Sequence, residues 1–275
     1  MVSILILTFN EERNLPECLA SVNWSDDVVV FDSFSSDLTL EIAKAAGARC
    51  MQRKFDNYAS QRNASLQEVS FKNSWVFVLD ADERVPPELR TELEGAVAAA
   101  DPEMTMYRLR RKDFFLGRWL RRSGGYPTWF PRLMQPTRVR VEREINEEFH
   151  TEGKVGNLCE HLIHLPFNKG IAFWLERHNR YSTMEAEALV KETREAMRWS
   201  GLFRRDPVVR RKALKQLAYR LPCRPMLVFC YLYFVRMGFL DGRPGWHYCR
   251  LRAMYENMID LKVQELRRRE RGLPV

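Results

Sequence analysis

Asp80 and Asp82 stand one residue apart, directly after the apolar run Trp75-Val76-Phe77-Val78-Leu79. Two carboxylates so placed beyond a strand end can lean toward one point. Hard cations such as Mg²⁺ and Mn²⁺ use such oxygen ligands, binding through one or two carboxylates together with substrate phosphates. The chemistry implied is a diphosphate held by a metal ion, with the cation offsetting charge on a departing phosphate. The plainer alternative is a solvated acidic turn, Asp80-Ala81-Asp82-Glu83, capping the helix that follows. A further carboxylate, Asp32, ends the apolar run Val28-Val29-Val30-Phe31 and weighs against that alternative.

The elements that must position these groups alternate. Ser3–Phe9 predicts a buried strand that passes into Thr8 and Asn10, and Leu15, Leu19 and Val22 then recur at helical spacing. Val28–Phe31 predicts a second strand, and Ser36 or Asp37 can cap a helix through Leu40, Ile42 and Ala43 that stops near Gly47. Trp75–Leu79 predicts a third, and Pro86-Pro87 opens a helix through Leu89, Leu93 and Val97. Apolar strands alternating with helices predict an α/β fold around a parallel sheet covered on both faces, with ligands beyond the carboxyl ends of the strands. The acidic side chains after the second and third strands are therefore expected to meet around one cation-bound diphosphate.

Composition narrows the classes. With 275 residues, 45% of them apolar, and 13 each of Gly and Pro, the chain is neither low-complexity nor too short for a core. Its six cysteines form no CxxC pair, which predicts a reduced compartment and no zinc knuckle. The first residues carry no basic leader, so no signal peptide is expected, and no apolar run reaches the length of a membrane span. No GxGxxG follows the first strand, and neither GxxxxGK[ST] nor GxSxG occurs. Dinucleotide, P-loop and serine-hydrolase chemistry therefore lack support.

Three segments carry a resemblance: Ile4-Leu5-Ile6-Leu7-Thr8-Phe9-Asn10-Glu11-Glu12, Val30-Phe31-Asp32-Ser33-Phe34-Ser35-Ser36-Asp37-Leu38-Thr39 and Leu79-Asp80-Ala81-Asp82-Glu83. In order and spacing the chain resembles family 2 glycosyltransferases of the GT-A fold. Gln61-Arg62-Asn63, Gly124-Gly125-Tyr126-Pro127, Arg132-Leu133 and Gly238-Phe239-Leu240-Asp241-Gly242 are similar to a bacterial branch that includes lipopolysaccharide-core heptose β-1,4-glucosyltransferases. The resemblance implies inverting transfer of a hexose from a nucleotide-diphosphate sugar, with glucose from UDP-glucose expected, onto a glycolipid or polysaccharide precursor. It implies that Thr8 and Glu11 line the nucleotide pocket, Asp32 faces the base and Arg62 supports the nucleotide. Asp80 and Asp82 then address ribose, diphosphate and Mg²⁺ or Mn²⁺, with Asp82 chosen as the metal ligand. The general base implied is Glu147, with Glu144, Glu148 and His150 as rivals on the same segment. Two departures stand out: Phe34 where the branch has glycine, and Asn146-Glu147 where it has His-Glu.

Other features are less specific. His161 and His164 are three apart, and a structural place beside Leu162 and Leu165 is preferred over a metal site. Trp119, Tyr126, Trp129 and Phe130 can form an acceptor platform, or belong to the core. Residues 1–167 are expected as the catalytic domain and 168–275 as a helical region. Residues 200–275 carry 17 Lys or Arg against 6 Asp or Glu, which predicts an anionic partner. Asp206-Pro207 reads as a helix start, and Met226–Val235 is an apolar helix of about 15 Å, too short to span a bilayer but able to lie in its interface. A nucleic-acid partner explains the charge but not that apolar run, so an anionic membrane surface is expected. The chain is accordingly placed in the cytoplasm, peripheral on the inner face of the cytoplasmic membrane. An inactive membrane-bound scaffold and a basic nucleic-acid-binding protein are the alternatives.

Overall fold

A computed structural model of the chain describes residues 1–142, 148–194 and 223–275. The chain divides into two compact units, Met1–Phe114 with Tyr126–Lys169, and Phe115–Gly125 with Gly170–Val275. The second unit thus takes a short excursion out of the middle of the first, a feature with no marker in the sequence.

The first unit is built on β1 (Ser3–Thr8), α1 (Leu15–Ala20), β2 (Val28–Asp32), α2 (Thr39–Ala45), β3 (Arg49–Gln52), α3 (Tyr58–Gln67), β4 (Val76–Asp80), β5 (Glu83–Arg84) and α4 (Pro87–Ala98). It continues with β6 (Met104–Phe115), β8 (Trp129–Met134), β9 (Val139–Glu142), β10 (Glu148–Thr151) and β11 (Lys154–His164); β7 (Arg118–Trp119) lies in the excursion. The strand order is β3-β2-β1-β4-β8-β6-β11-β5, and β9 pairs with β10 in a separate small sheet. β3, β2, β1 and β4 are parallel; β8 is antiparallel to both β4 and β6, and β11 is parallel to β6. The expected α/β architecture is present, and the sheet extends beyond the three strands legible as apolar runs.

Apolar residues face both ways along β1, as a strand covered on two sides requires. Ile4 and Ile6 pack with Leu15 and Cys18 of α1 and Leu89 and Leu93 of α4, whereas Leu5 packs with Ala64 and Leu66 of α3. Gly47, where α2 was expected to stop, has φ 76° just past the helix end, the left-handed geometry that glycine adopts without strain.

The second unit is helical. α5 (Ile171–Arg194) and α7 (Gly242–Glu270) are long helices, and α6 (Arg224–Cys230) runs into a π turn over Tyr231–Val235 and a 3₁₀ turn over Gly238–Asp241. Lys262 of α7 donates to the Asn179 carbonyl at 2.6 Å and the Ser182 hydroxyl at 2.8 Å, joining α7 to α5. Gly245 lies against the Gly238 carbonyl, where a side chain would collide with it, so a glycine is needed for that approach. The last turn of α7 carries Arg267, Arg268 and Arg269, which complement the helix dipole. The helix expected after Pro207 lies outside the described residues.

Candidate active site

Register places the rim. Thr8 of β1 pairs with Asp32 of β2, and Leu7 pairs with Asp80 of β4. β1 therefore lies between the two acidic strand ends, which are about 10 Å apart at two interstrand spacings. Asp32 and the Asp80/Asp82 pair share one edge, but they do not surround one cation. The expectation that they meet is corrected by the strand order: the second and third strands flank the first rather than each other. A nucleoside diphosphate is long enough to bridge the two ends.

At the Asp32 end the carboxylate is buried and accepts from neutral donors. Thr8 Oγ1 donates at 2.8 Å, the Ser35 backbone N–H at 2.8 Å and Gln52 Nε2 at 3.1 Å. Ser35 Oγ in turn accepts the Asn10 N–H at 2.8 Å, linking the loop after β1 to the loop after β2. Phe34 in the latter loop has φ 61° and is exposed; the turn keeps the left-handed conformation although glycine is missing. Glu11 is held by Lys169 Nζ at 2.6 Å and Asn14 Nδ2 at 2.8 Å. Burial raises its pKa in spite of these partners.

The other end is ionic. Arg132 Nη2 lies 2.7 Å from Asp80 and 2.7 Å from the buried Glu83, with Arg62 3.6 Å from Asp80 and Arg111 3.4 Å from Glu83. Burial works against ionisation of Asp80, but the Arg132 and Arg62 charges outweigh it and hold the carboxyl well below the usual range. His164 Nε2 is 3.3 Å from Asp82, and its Nδ1 is 2.7 Å from Asp113, which Arg111 also reaches at 2.8 Å. Burial and the Arg111 charge push the His164 imidazolium down, yet the carboxylates on either side prevail and bring its pKa up to about 9.

Asp82 and His164 fit a divalent ion on the chemistry of their donors. A carboxylate oxygen and an imidazole nitrogen about 3 Å apart match neighbouring ligands at bond lengths near 2.1 Å. Asp113 on the far ring nitrogen is the orienting partner that metal-bound histidines commonly have. Among the described residues no group of three or more such ligands is gathered. An ion held there by these two side chains alone would take its remaining ligands from substrate oxygens and water.

α3 ties these parts together. Gln61 donates to the Ser33 hydroxyl at 3.0 Å, Arg62 faces Asp80, and Asn63 brackets Val141 of β9 through its N–H and carbonyl at 2.9 and 2.7 Å. Three successive residues point about 100° apart around a helix, so one turn reaches the β2 loop, the β4 end and β9. Glu147, the expected base, lies outside the described residues, as do Glu144 and Asn146. Of its rivals, Glu148 and His150 stand on β10, opposite β9, and both are exposed.

His164 is the residue that sequence reasoning passed over. Residues three apart on a strand face opposite ways, so His161 and His164 of β11 do not form a pair. His161 instead accepts or donates across 2.7 Å to the Tyr126 hydroxyl. The aromatic platform divides for the same reason. Arg110 lies 5.0 Å from Trp129, whereas Arg111 lies 4.3 Å from Phe130, and Trp119 belongs to the other unit. Arg132, met in the sequence only within the Arg132-Leu133 resemblance, and Lys169, which nothing in local sequence marks, also gain their roles here.

A family model described as Glycosyl transferase family 2 matches residues 3–171. The lipopolysaccharide core biosynthesis glycosyltransferase LpsC of Rhizobium meliloti is 27% identical, covering 96% of this chain and 92% of its own length. An uncharacterized glycosyltransferase of Rickettsia typhi is 26% identical over 99% of this chain and 89% of its own length. Among solved structures, the mannosyltransferase PcManGT of Pyrobaculum calidifontis, in complex with GDP-Man and Mn²⁺, aligns with 96% of this chain and 86% of its own at 15% identity and a TM-score of 0.49. The matched stretch runs from β1 past Lys169 and takes in every rim residue described above, and the chain belongs to glycosyl transferase family 2, enzymes that move a sugar from a nucleotide-sugar donor to an acceptor.

Proposed function

We propose that this chain is an inverting hexosyltransferase that moves glucose from UDP-glucose onto a glycolipid acceptor of the lipopolysaccharide-core kind. The observation that carries this reading is the division of the rim. A carboxylate fixed by uncharged donors at Thr8 and Asp32 suits the N–H of a pyrimidine base, and a charged end one strand away suits the diphosphate. At that end Asp80, Asp82, Glu83 and Asp113 face Arg62, Arg111, Arg132 and a protonated His164. The positive charge there is already used, so an arriving diphosphate calls for a divalent cation.

Asp82 and His164 would hold that Mg²⁺ or Mn²⁺, the imidazolium giving up its Nε2 proton to solvent as the ion binds, and the ion when bound would offset charge on the departing diphosphate. Asp32 and Thr8 position the base, Glu11 lines the pocket under the hold of Lys169, and Arg62 with Asp80 orients the ribose side. The acceptor hydroxyl oxygen forms a bond to C1 of the sugar from the face opposite the diphosphate. The C1–O bond to the diphosphate breaks, UDP leaves with the electron pair, and Glu147 takes the hydroxyl proton. The lipopolysaccharide-core relative favours an acceptor carried by a membrane lipid, reached from the cytoplasmic face where nucleotide sugars are present. Residues 1–167 carry this chemistry in the reading, and 168–275 serve the acceptor or the membrane.

UDP release is the test. Incubation with UDP-glucose, Mn²⁺ and a lipopolysaccharide-core acceptor should release UDP and yield a β-linked product, with loss of turnover on chelation and in Asp82→Asn and Glu147→Gln. Turnover indifferent to both chelator and Asp82→Asn would sink the assignment.

A further inference from the structure

The second unit has a surface that the transfer reaction does not use. From Met226 to Val235, α6 and the π turn after it carry only apolar and aromatic side chains. Inward, Phe229 and Tyr233 meet Trp246 edge-on at 5.2 and 5.1 Å. Outward, Met226, Tyr231, Phe234 and Val235 are 61%, 51%, 59% and 71% exposed, and the 3₁₀ turn adds Phe239 and Leu240 at 44% and 47%. A helix with one apolar face on the protein and a second in water lacks a partner for the second.

Charge says which partner. Residues 115–125 and 223–250 contain a single acidic residue, Asp241, and it is buried. Its carboxylate accepts the backbone N–H groups of Arg122 and Ser123 at 3.0 and 2.8 Å and the Ser123 hydroxyl at 2.7 Å. Those bonds dock the excursion against the 3₁₀ turn, where Arg118 donates to the Leu240 carbonyl at 3.0 Å. Arg118, Arg121, Arg122 and Arg243 are all exposed. Arg224, by contrast, is buried against Glu256 and Asp260, so it adds nothing to the surface. Two segments more than a hundred residues apart in sequence thus assemble an apolar tip with an arginine rim, and neither segment carries an exposed carboxylate.

We propose that this tip, Phe234 to Leu240 with the arginines of residues 118–122, docks the chain on an anionic lipid bilayer. Apolar rings enter the boundary between headgroups and acyl chains while arginines meet lipid phosphates. No helix among the described residues is long and apolar enough to cross a membrane, so the contact is interfacial. A second copy of the chain would match the apolar side chains but would bring arginine against arginine. The proposal rests on the reading of the acceptor as membrane-borne for its purpose, while the residues it uses are not those of the rim.

Co-sedimentation of the full chain tests it, with vesicles of equal parts phosphatidylcholine and phosphatidylglycerol and with phosphatidylcholine alone. Binding should require phosphatidylglycerol and weaken with salt. Phe234→Ser with Phe239→Ser should weaken it at least about tenfold, and Arg121→Gln with Arg122→Gln by about fivefold for each arginine. Both variants should keep the melting temperature and the thermal shift with UDP-glucose. Failure to bind anionic vesicles, binding unchanged in both variants, or a wild-type dimer that Phe234→Ser with Phe239→Ser dissociates would each overturn the proposal. Vesicle binding that persists where UDP release fails would sink the transfer reading and uphold this one.

Discussion

At the Thr8 end of the rim a carboxylate is held by hydroxyl, amide and backbone N–H donors, whereas at the Asp80 end every carboxylate faces a cation. The two ends stand one strand apart on the same sheet, so sheet position alone does not set their character. What differs is the neighbour across the sheet. Asp32 lies beside β3, with polar uncharged Gln52 opposite it, while β4 lies beside β8, which brings in Arg132. Hydrogen bonds to neutral donors fix geometry at modest net energy, and buried ion pairs are costly to break because one charge is left behind. One end is thus built to orient a ligand and the other to tolerate charge.

Breaking the ionic end should have the largest effect. Arg132→Ala removes the nearest cation from both Asp80 and the buried Glu83, leaving Glu83 only the longer contact to Arg111, and should destabilise the fold by about 3 kcal/mol, read by denaturant unfolding; a loss near that of a surface arginine would show the network to be ornamental. Asp82→Asn keeps the shape of the site and should lower kcat by about a hundredfold to a thousandfold with little change in melting temperature, measured by UDP release with Mn²⁺.

Titration sharpens the contrast further. His164 has a folded pKa of about 9, above its unfolded value, so its charge stabilises the metal-free fold fully below about pH 6.5. That stability, about 3 kcal/mol at most, should fade as pH rises through 9. Asp80 is shifted the other way and stabilises above its unfolded pKa, so the same end should weaken again in acid. Melting temperature against pH in chelator checks this, and His164→Gln should flatten the alkaline side. The smallest effect belongs to the neutral end. Phe34→Gly relieves a left-handed backbone and should stabilise by about 1 kcal/mol, with UDP binding unchanged.

Much of the first ninety residues was legible. Ile4–Leu7, Val28–Phe31 and Val76–Leu79 are continuous apolar runs because strands covered on both faces need apolar side chains in both directions. β6 was not, since Arg108, Arg110, Arg111, Lys112 and Asp113, all half-buried, leave it no continuous apolar run. The Asp80-Ala81-Asp82 spacing marked the ionic end, but its partners Arg132, Asp113 and His164 come from strands far along the chain.

Sequence by itself determined the local pieces: strand ends that stop in Thr8, Asp32 and Asp80, helix stops such as Gly47, and the family through three short motifs. Tertiary structure decided who meets whom. Strand order put β1 between Asp32 and Asp80, antiparallel pairing brought Arg132 to Asp80, and strand parity sent His164 to Asp82 while turning His161 away. Local preference acts over a few residues, and the contacts that give these side chains their charge states span fifty to eighty, where only the closed sheet can bring them together.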